Sequence, residues 1–218
     1  MRSNRAERLP RLMVCEGAAD KFFSERLITV RHLPRFYIVD ARGNGEFAQA
    51  IQAFRIERTA DYNSLREILI VADNDECPSN RFANVCVQIG RVFGSGTAPI
   101  APLQNTPRTA TRAVAITVLM VPWTDEHGHL ERMCIEAARA SNRNVATHVD
   151  TFMTLIRAEG WRNESRFGKA WLRTNLAARC TRDPFIALHR IFADPRYNAL
   201  IPVDHSSFDR IANVLSRL

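Results

Sequence analysis

Four short apolar segments in the first part of the chain predict β-strands. They are continuous runs rich in Val, Ile and Leu at residues 12–16, 36–40, 68–73 and 114–122. Continuous apolar runs, as opposed to alternating ones, are typical of strands that are buried on both faces of a sheet. The pattern therefore predicts a sheet that is covered by helices on both sides.

The segments between these strands repeat their apolar residues at helical spacing. The predicted helices span residues 18–33, 45–54 and 80–93. Strands that alternate with helices indicate crossover connections and a mostly parallel sheet. Residues 94–113, rich in Gly, Pro and Thr, predict a loop or an edge hairpin before the fourth strand.

After residue 122 the pattern becomes helical throughout. The predicted helices span residues 129–140, 145–159, 164–179, 183–192 and 206–218, with Asp183-Pro184 and Ser206 as helix starts. We therefore expect an α/β fold with a mostly parallel four-stranded sheet in residues 1–123. A helical C-terminal part, residues 124–218, is expected to pack on the same core.

The composition adds two expectations, a cytoplasmic location and an anionic partner. The chain has no apolar run of the roughly 20 residues that a membrane-spanning helix needs. Its five cysteines form no CxxC pair, which favours reduced thiols in the cytoplasm. The net charge of +7 suits nucleic acid, although only two of the 30 basic residues are lysines, so codon bias also explains the charge.

Acidic side chains stand at the ends of two predicted strands. Glu16 ends the first strand, Asp73 ends the third, and Asp75 follows two residues later. Each motif alone is commonly a turn or a cap, but ligands of parallel sheets collect at the carboxyl ends of strands. Carboxylate oxygens are hard ligands, so the joint occurrence predicts a site for Mg²⁺ or Mn²⁺.

Two neighbouring features leave alternatives open. Asp20 lies one helical turn after Glu16, so it either faces the same site or serves as a first-turn acid favoured by the helix dipole. His127 and His129 have no second cysteine at zinc-ligand spacing, and an ordinary polar loop is the preferred interpretation.

The segments VCEGAADKFF and LIVADNDE resemble the Toprim domain of topoisomerases, primases and OLD-family nucleases. Roughly residues 12–218 are similar to small Toprim proteins related to OLD nucleases, through VLMVPWTDEHGHLE and Lys169-Ala170. The resemblance implies a Toprim-like fold in which Glu16 is a metal ligand or general acid/base and Asp73 and Asp75 hold Mg²⁺. It further implies that Glu131 binds a second metal and that Lys169 assists at the phosphate.

The roles implied for Glu131 and Lys169 have simpler alternatives. Glu131 also fits a solvated helix face, and one of two lysines falls at position 169 by chance as easily as by selection. Against chance, a chain that uses Arg almost everywhere retains a compact, titratable ammonium there.

The residues and the resemblance together predict a metal-dependent nuclease that acts on DNA or RNA. OLD-like Toprim proteins are often paired with an ATPase in phage defence. This chain has no GxxxxGK[ST] motif, so such an ATPase would be a separate protein. The alternative is a non-catalytic, Mg²⁺-dependent module that binds nucleic acid or a nucleotide. Polymerisation, as in primases, is disfavoured because zinc-ribbon cysteines are missing.

The C-terminal part also offers a candidate phosphate-binding face. Its arginines include Arg157, Arg162, Arg166, Arg173, Arg179 and Arg182. Trp161 and Trp171 could add base stacking, but a tryptophan at helical spacing, such as Trp171, is more typical of a core. Most of these arginines are expected to be solvated.

Overall fold

A four-stranded parallel sheet organises the computed structural model, which describes residues 9–42, 46–94, 96–104, 114–161 and 164–218. The strand order is β2-β1-β3-β4 and every pair is parallel. The strands are β1 Arg11–Cys15, β2 Tyr37–Asp40, β3 Glu67–Asp73 and β4 Ala115–Val121. The predicted α/β class and the four strands are confirmed, with ends displaced by about one residue.

Apart from α3, the helices connect and follow the strands in the order that the sequence pattern predicts. They are α1 Ala18–Val30, α2 Phe47–Glu57, α3 Thr59–Ser64, α4 Pro78–Phe93, α5 Leu130–Ser141, α6 Arg143–Leu155, α7 Glu164–Arg179, α8 Leu188–Ala193 and α9 Asp209–Arg217. Single 3₁₀ turns lie at Ala158–Gly160, Pro195–Tyr197 and Ser206–Phe208.

The prediction that a helix starts at Asp183-Pro184 is wrong. The Ile186 N–H donates to the Asp183 carbonyl over 3.1 Å, which closes a turn, and α8 begins only at Leu188. Pro fits the second position of such a turn as readily as the first turn of a helix, so the local signal does not distinguish them. The short helix α3 was not predicted. Of the loop predicted over 94–113, residues 94 and 96–104 form turns and bends, and residues 95 and 105–113 lie outside the described residues.

Alternate strand residues enter two separate cores. On one face, Leu12, Ile70 and Val118 pack with α2, α3 and α4. On the other face, Met13 and Leu119 pack with α1 and with the helices that follow β4. Both faces are therefore apolar, which explains why the strands read as continuous apolar runs.

None of the helices in the described part of the chain combines the length and the apolar character needed to cross a membrane. All five cysteines are free thiols.

Candidate functional site

The parallel sheet brings Glu16 and Asp73 to the same edge. Glu16 directly follows β1, Asp73 ends β3, and these strands are neighbours. The Asp73 backbone N–H donates to Glu16 Oε2 over 3.1 Å. Burial raises the pKa of Glu16, and repulsion from Asp73 raises it further. The carboxylates meet at the carboxyl edge, where the strand-end pattern predicts them.

Asp20 joins this pair from the first turn of α1. It is only 9% exposed, and its Oδ2 accepts the Gly17 N–H over 3.1 Å. Burial raises the pKa of Asp20 well above its usual value, and the charges of Asp73 and then Glu16 act in the same direction. Asp20 therefore belongs to the acid cluster while it also caps the start of its own helix.

Arg81, in the first turn of α4, is the main counter-charge of the cluster. Its side chain is buried, and its Nη2 donates to Glu16 Oε2 over 2.6 Å. Its Nε donates to the Asp73 carbonyl over 3.3 Å and lies 3.6 Å from Asp75 Oδ2. One guanidinium thus connects the end of β1 with the turn after β3, a role for which fork-shaped arginine is well suited.

A second loop closes over the turn that carries Asp75. Asp75 has a positive φ of 52° and exchanges two backbone hydrogen bonds with Gly128, over 3.1 and 2.9 Å. The buried Asn74 Nδ2 donates to the carbonyls of Trp123 and Glu126. These contacts fix the segment between β4 and α5 against the acid cluster.

The same loop carries His129, which is buried against the acids, whereas the sequence interpretation places it in an ordinary polar loop. His129 is 7% exposed, and its Nδ1 lies 3.4 Å from Asp73 Oδ2 and 3.2 Å from Asp75 Oδ1. The hydrogen bond to Asp73 raises the pKa of His129. The next N–H, of Leu130 at the start of α5, donates to Asp73 Oδ1 over 3.2 Å. His127 is different, because it is exposed and bonds the Glu76 carbonyl over 2.9 Å.

Glu131 and Lys169 lie together at one side of the cluster, where both line one cleft. The charge of Glu131 contributes to the raised pKa of Asp20. The charge of Lys169 lowers the pKa of His129 against the effect of Asp73. The fold thus places the six candidates Glu16, Asp20, Asp73, Asp75, Glu131 and Lys169 in one region of the molecule, and Arg81 and His129 lie among them. Sequence reasoning gave Arg81 no role, since one arginine among many carries no contrast.

The donor chemistry of the cluster fits a divalent cation, and two basic side chains, Arg81 and His129, contact the same acids. All five candidate ligands are carboxylates, the donors that Mg²⁺ and Mn²⁺ prefer. Burial raises the pKa of Glu16 and Asp20, and the negative charge of neighbouring carboxylates raises both further. However, within the described ranges no three His, Cys, Asp or Glu side chains are arranged to hold an ion. Arg81 and His129 contact three of these carboxylates, so a cation held by the same oxygens would compete with those contacts.

The aromatic residues of the C-terminal part separate into core and surface. Trp171 is fully buried, and its Nε1 donates to Asp150 Oδ1 over 2.7 Å, which confirms the core interpretation. Trp161 is 41% exposed. Among the nominated arginines, Arg162 lies outside the described residues, and Arg179 donates to the carbonyls of Leu200 and Ala199 over 2.9 and 2.6 Å. Arg179 therefore has a structural role.

Comparisons with known proteins place this geometry in a family context. The model of the family described as "Protein of unknown function (DUF3226)" matches residues 10–218. Among solved structures, the chain is similar to the C-terminal region of the Xanthomonas campestris pv. campestris OLD protein. That match has 13% identity and a TM-score of 0.41, and it covers 95% of this chain and 94% of the other. Similarity at this level is silent about activity. No curated protein matches the sequence.

Proposed function

We propose that this chain, which belongs to the DUF3226 family, is a Toprim-type metal-dependent nuclease acting on DNA or RNA phosphodiesters. The observation that carries the proposal is the convergence of Glu16, Asp20 and Asp73 at the carboxyl edge of the sheet, where burial and, after it, repulsion from neighbouring carboxylates raise the pKa of Glu16 and Asp20. Such crowding of acids costs stability, so it is expected where a function requires it.

Five acids are the proposed holders of Mg²⁺ or Mn²⁺: Glu16, Asp20, Asp73, Asp75 and Glu131. A bound divalent cation lowers the pKa of water and neutralises charge on a phosphate. The chain's own contribution is to place these acids on rigid segments, because Glu16 and Asp73 are fixed by strands and Asp20 by a helix. A rigid support of this kind sets the precision of a site.

The cationic groups complete the proposed chemistry. Lys169 lines the cleft beside Glu131, and the proposal places the reacting phosphate there. There its ammonium stabilises negative charge on the reacting phosphate or protonates the leaving oxygen. Arg81 and His129 orient Glu16, Asp73 and Asp75 through the contacts described above.

One observation favours a second candidate function. Arg81 and His129 already contact Glu16, Asp73 and Asp75, so part of the negative charge of the cluster has a partner within the chain. A non-catalytic module that binds nucleic acid or a nucleotide in the presence of Mg²⁺ is therefore the alternative. In either case, cooperation with a separate ATPase in defence against phage is a prediction of the Toprim resemblance.

Cleavage distinguishes the two functions. Purified protein is incubated with supercoiled plasmid, single-stranded DNA and RNA, in Mg²⁺, Mn²⁺ or EDTA. The test variant is Asp73→Asn, which keeps an oxygen that can accept the Leu130 N–H. The matched control is Asp204→Asn, at an exposed acid outside the cluster.

We expect metal-dependent cleavage that Asp73→Asn lowers by at least 100-fold and that Asp204→Asn leaves unchanged, since proposed metal ligands are central to catalysis. Metal-dependent stabilisation without cleavage of any substrate supports the binding module. If the wild type shows neither, the carboxylate site does not bind a metal and the proposal fails.

A further inference from the structure

A cleft of about 600 Å³ opens beside the acid cluster. It is lined by Ala19 of α1, by one face of α7, and by the turn that joins α7 to α8. Glu131 and Lys169, which belong to the proposed site, form part of its wall. A ligand in this cleft therefore contacts Glu131 and lies beside Ala19, the residue that precedes Asp20 in α1.

Basic side chains outnumber acidic ones along the cleft. Arg173 follows Lys169 by one turn on the same face of α7, and both line the cleft together with His189 of α8. The His189 ring packs against Phe22, with centroids 6.3 Å apart, and Lys21 Nζ lies 5.6 Å from the same Phe22 ring. Both lysines of the chain are thus at or next to this cleft, which favours an anionic occupant.

Phe185 supplies an exposed aromatic ring at the cleft. It lines the cleft and is 95% exposed. The exposure is imposed by the turn, since Ile186 N–H donates to the Asp183 carbonyl over 3.1 Å and the Ile186 side chain is buried. Arg190 Nη1 donates to Asp183 Oδ2 over 3.1 Å and braces the same turn. Pro184 restricts the backbone one residue before the ring.

We propose that this cleft binds a single strand of nucleic acid, with a base stacked on Phe185 and a backbone phosphate at Arg173. An aromatic face beside a cationic track is how proteins hold single strands without reading their sequence. The bases of a duplex are already stacked on one another, so a duplex cannot use the ring unless it opens. This inference rests on the proposed function and specifies its substrate as a single strand or a locally opened duplex.

Binding measured without turnover tests the inference. Fluorescein-labelled oligothymidylate and oligouridylate, and a duplex of the same length, are titrated in EDTA and followed by fluorescence anisotropy. The variants are Phe185→Ala, Phe185→Tyr and, as a matched control, Phe152→Ala, which removes a half-exposed ring on α6. Thermal melting checks that the variants fold.

We expect the wild type to prefer single strands over the duplex. Phe185→Ala should weaken single-strand binding by about fivefold or more, the scale of one lost stacking contact. Phe185→Tyr should retain binding, because its ring stacks equally well, and Phe152→Ala should bind as the wild type does. Arg173→Ala should weaken binding and reduce its dependence on salt.

Two results overturn the inference and leave the nuclease proposal standing. One is plasmid cleavage by a wild type that binds no single strand, and the other is unchanged single-strand binding by Phe185→Ala. In the second case the exposed ring belongs to a contact with another protein. If the wild type cleaves no substrate with any metal, the nuclease proposal fails. The cleavage assay shows this outcome independently of the anisotropy measurement.

Discussion

At the scale of single residues, the charge environment of Asp20 implies that the proposed site costs stability. We predict that Asp20→Asn raises the melting temperature in EDTA, because it removes a buried charge that Asp73 and Glu16 repel. A gain of about 1 kcal/mol corresponds to roughly 2–4 °C in a chain of this size. The amide can still accept the Gly17 N–H. Differential scanning fluorimetry with and without Mg²⁺ measures the effect, and the Mg²⁺-induced shift should shrink in the variant.

The pH dependence of this variant follows from the raised pKa of Asp20. Between the unfolded pKa, about 3.9, and the higher folded pKa, the folded state holds a proton that the unfolded chain has released. Stability therefore falls as pH rises through this interval. The advantage of Asp20→Asn in EDTA should be larger at pH 8 than at pH 4. An advantage that is largest at low pH contradicts the assignment.

Replacement of Arg81 tests how much this side chain offsets the negative charge of the acid cluster. We predict that Arg81→Met lowers the free energy of unfolding in EDTA by about 3–5 kcal/mol, the cost of breaking a buried ion pair on one side. Arg81 is only 9% exposed and touches Glu16, Asp73 and Asp75. Urea denaturation measures the loss.

Mg²⁺ provides the decisive comparison for Arg81. If a cation competes with Arg81 for the acids, Mg²⁺ should stabilise Arg81→Met more than it stabilises the wild type. Arg81→Lys, which keeps the charge but not the fork, should fall between them. Equal stabilisation of all three proteins would show that the metal and Arg81 do not share carboxylates.

The difference between predicted and unpredicted site residues has a physical reason. Glu16 and Asp73 could be nominated because parallel strands direct their carboxyl ends to one edge, so sequence position fixes spatial position. Arg81 and His129 reach the same edge through a helix start and a loop closure. Both depend on tertiary contacts that no local pattern encodes.

At the scale of elements, Asp150 of α6 joins α5 and α7. It accepts Trp171 Nε1–H over 2.7 Å and pairs with both terminal nitrogens of Arg139 over 2.5 and 2.6 Å. We predict that Asp150→Ala costs about 1–3 kcal/mol at neutral pH, because the buried indole N–H loses its acceptor. Asp150→Asn should lower the free energy of unfolding by less. Solvent screens the half-exposed ion pair with Arg139, and the amide oxygen can still accept the Trp171 N–H.

Measurements at low pH separate the ion pair of Asp150 with Arg139 from its hydrogen bond with Trp171. The hydrogen bonds from Arg139 lower the pKa of Asp150 below its usual 3.8. Its ionised form therefore stabilises the fold above that value, and the contribution is lost as pH falls through the lower, folded pKa. Urea denaturation should show the gap between wild type and Asp150→Asn closing below pH 3.8. A gap that persists there would mean that the charge is irrelevant.

The elements also show which sequence signals were sufficient. The four strands were predictable because burial on both faces demands continuous apolar runs. Helix α7 begins and ends at the predicted residues, where its apolar spacing is unbroken. The start of α8 was mispredicted because a proline fits a turn and a helix start equally well, and the tertiary fold selected the turn that exposes Phe185.

At the scale of the whole molecule, one face of the sheet depends on residues far along the chain. Leu69 and Leu119 of the sheet share a core with Trp171, Phe192 and Phe208, which follow β4. The two predicted parts, 1–123 and 124–218, thus divide a single apolar cluster between them. The acid cluster depends on the same arrangement, because His129 and Glu131 follow β4 while Glu16 and Asp20 precede β2.

This arrangement predicts that residues 1–123 do not fold alone. Removal of the later helices exposes one apolar face of the sheet, which neither α1 nor water can stabilise. The isolated segment should be insoluble or lack cooperative thermal unfolding by circular dichroism. Co-expression with residues 124–218 should restore a soluble complex. This control shows whether insolubility comes from the uncovered apolar face of the sheet or from truncation itself. Cooperative unfolding of residues 1–123 alone would show that α1 suffices to close the core and that the helical part is a separable domain.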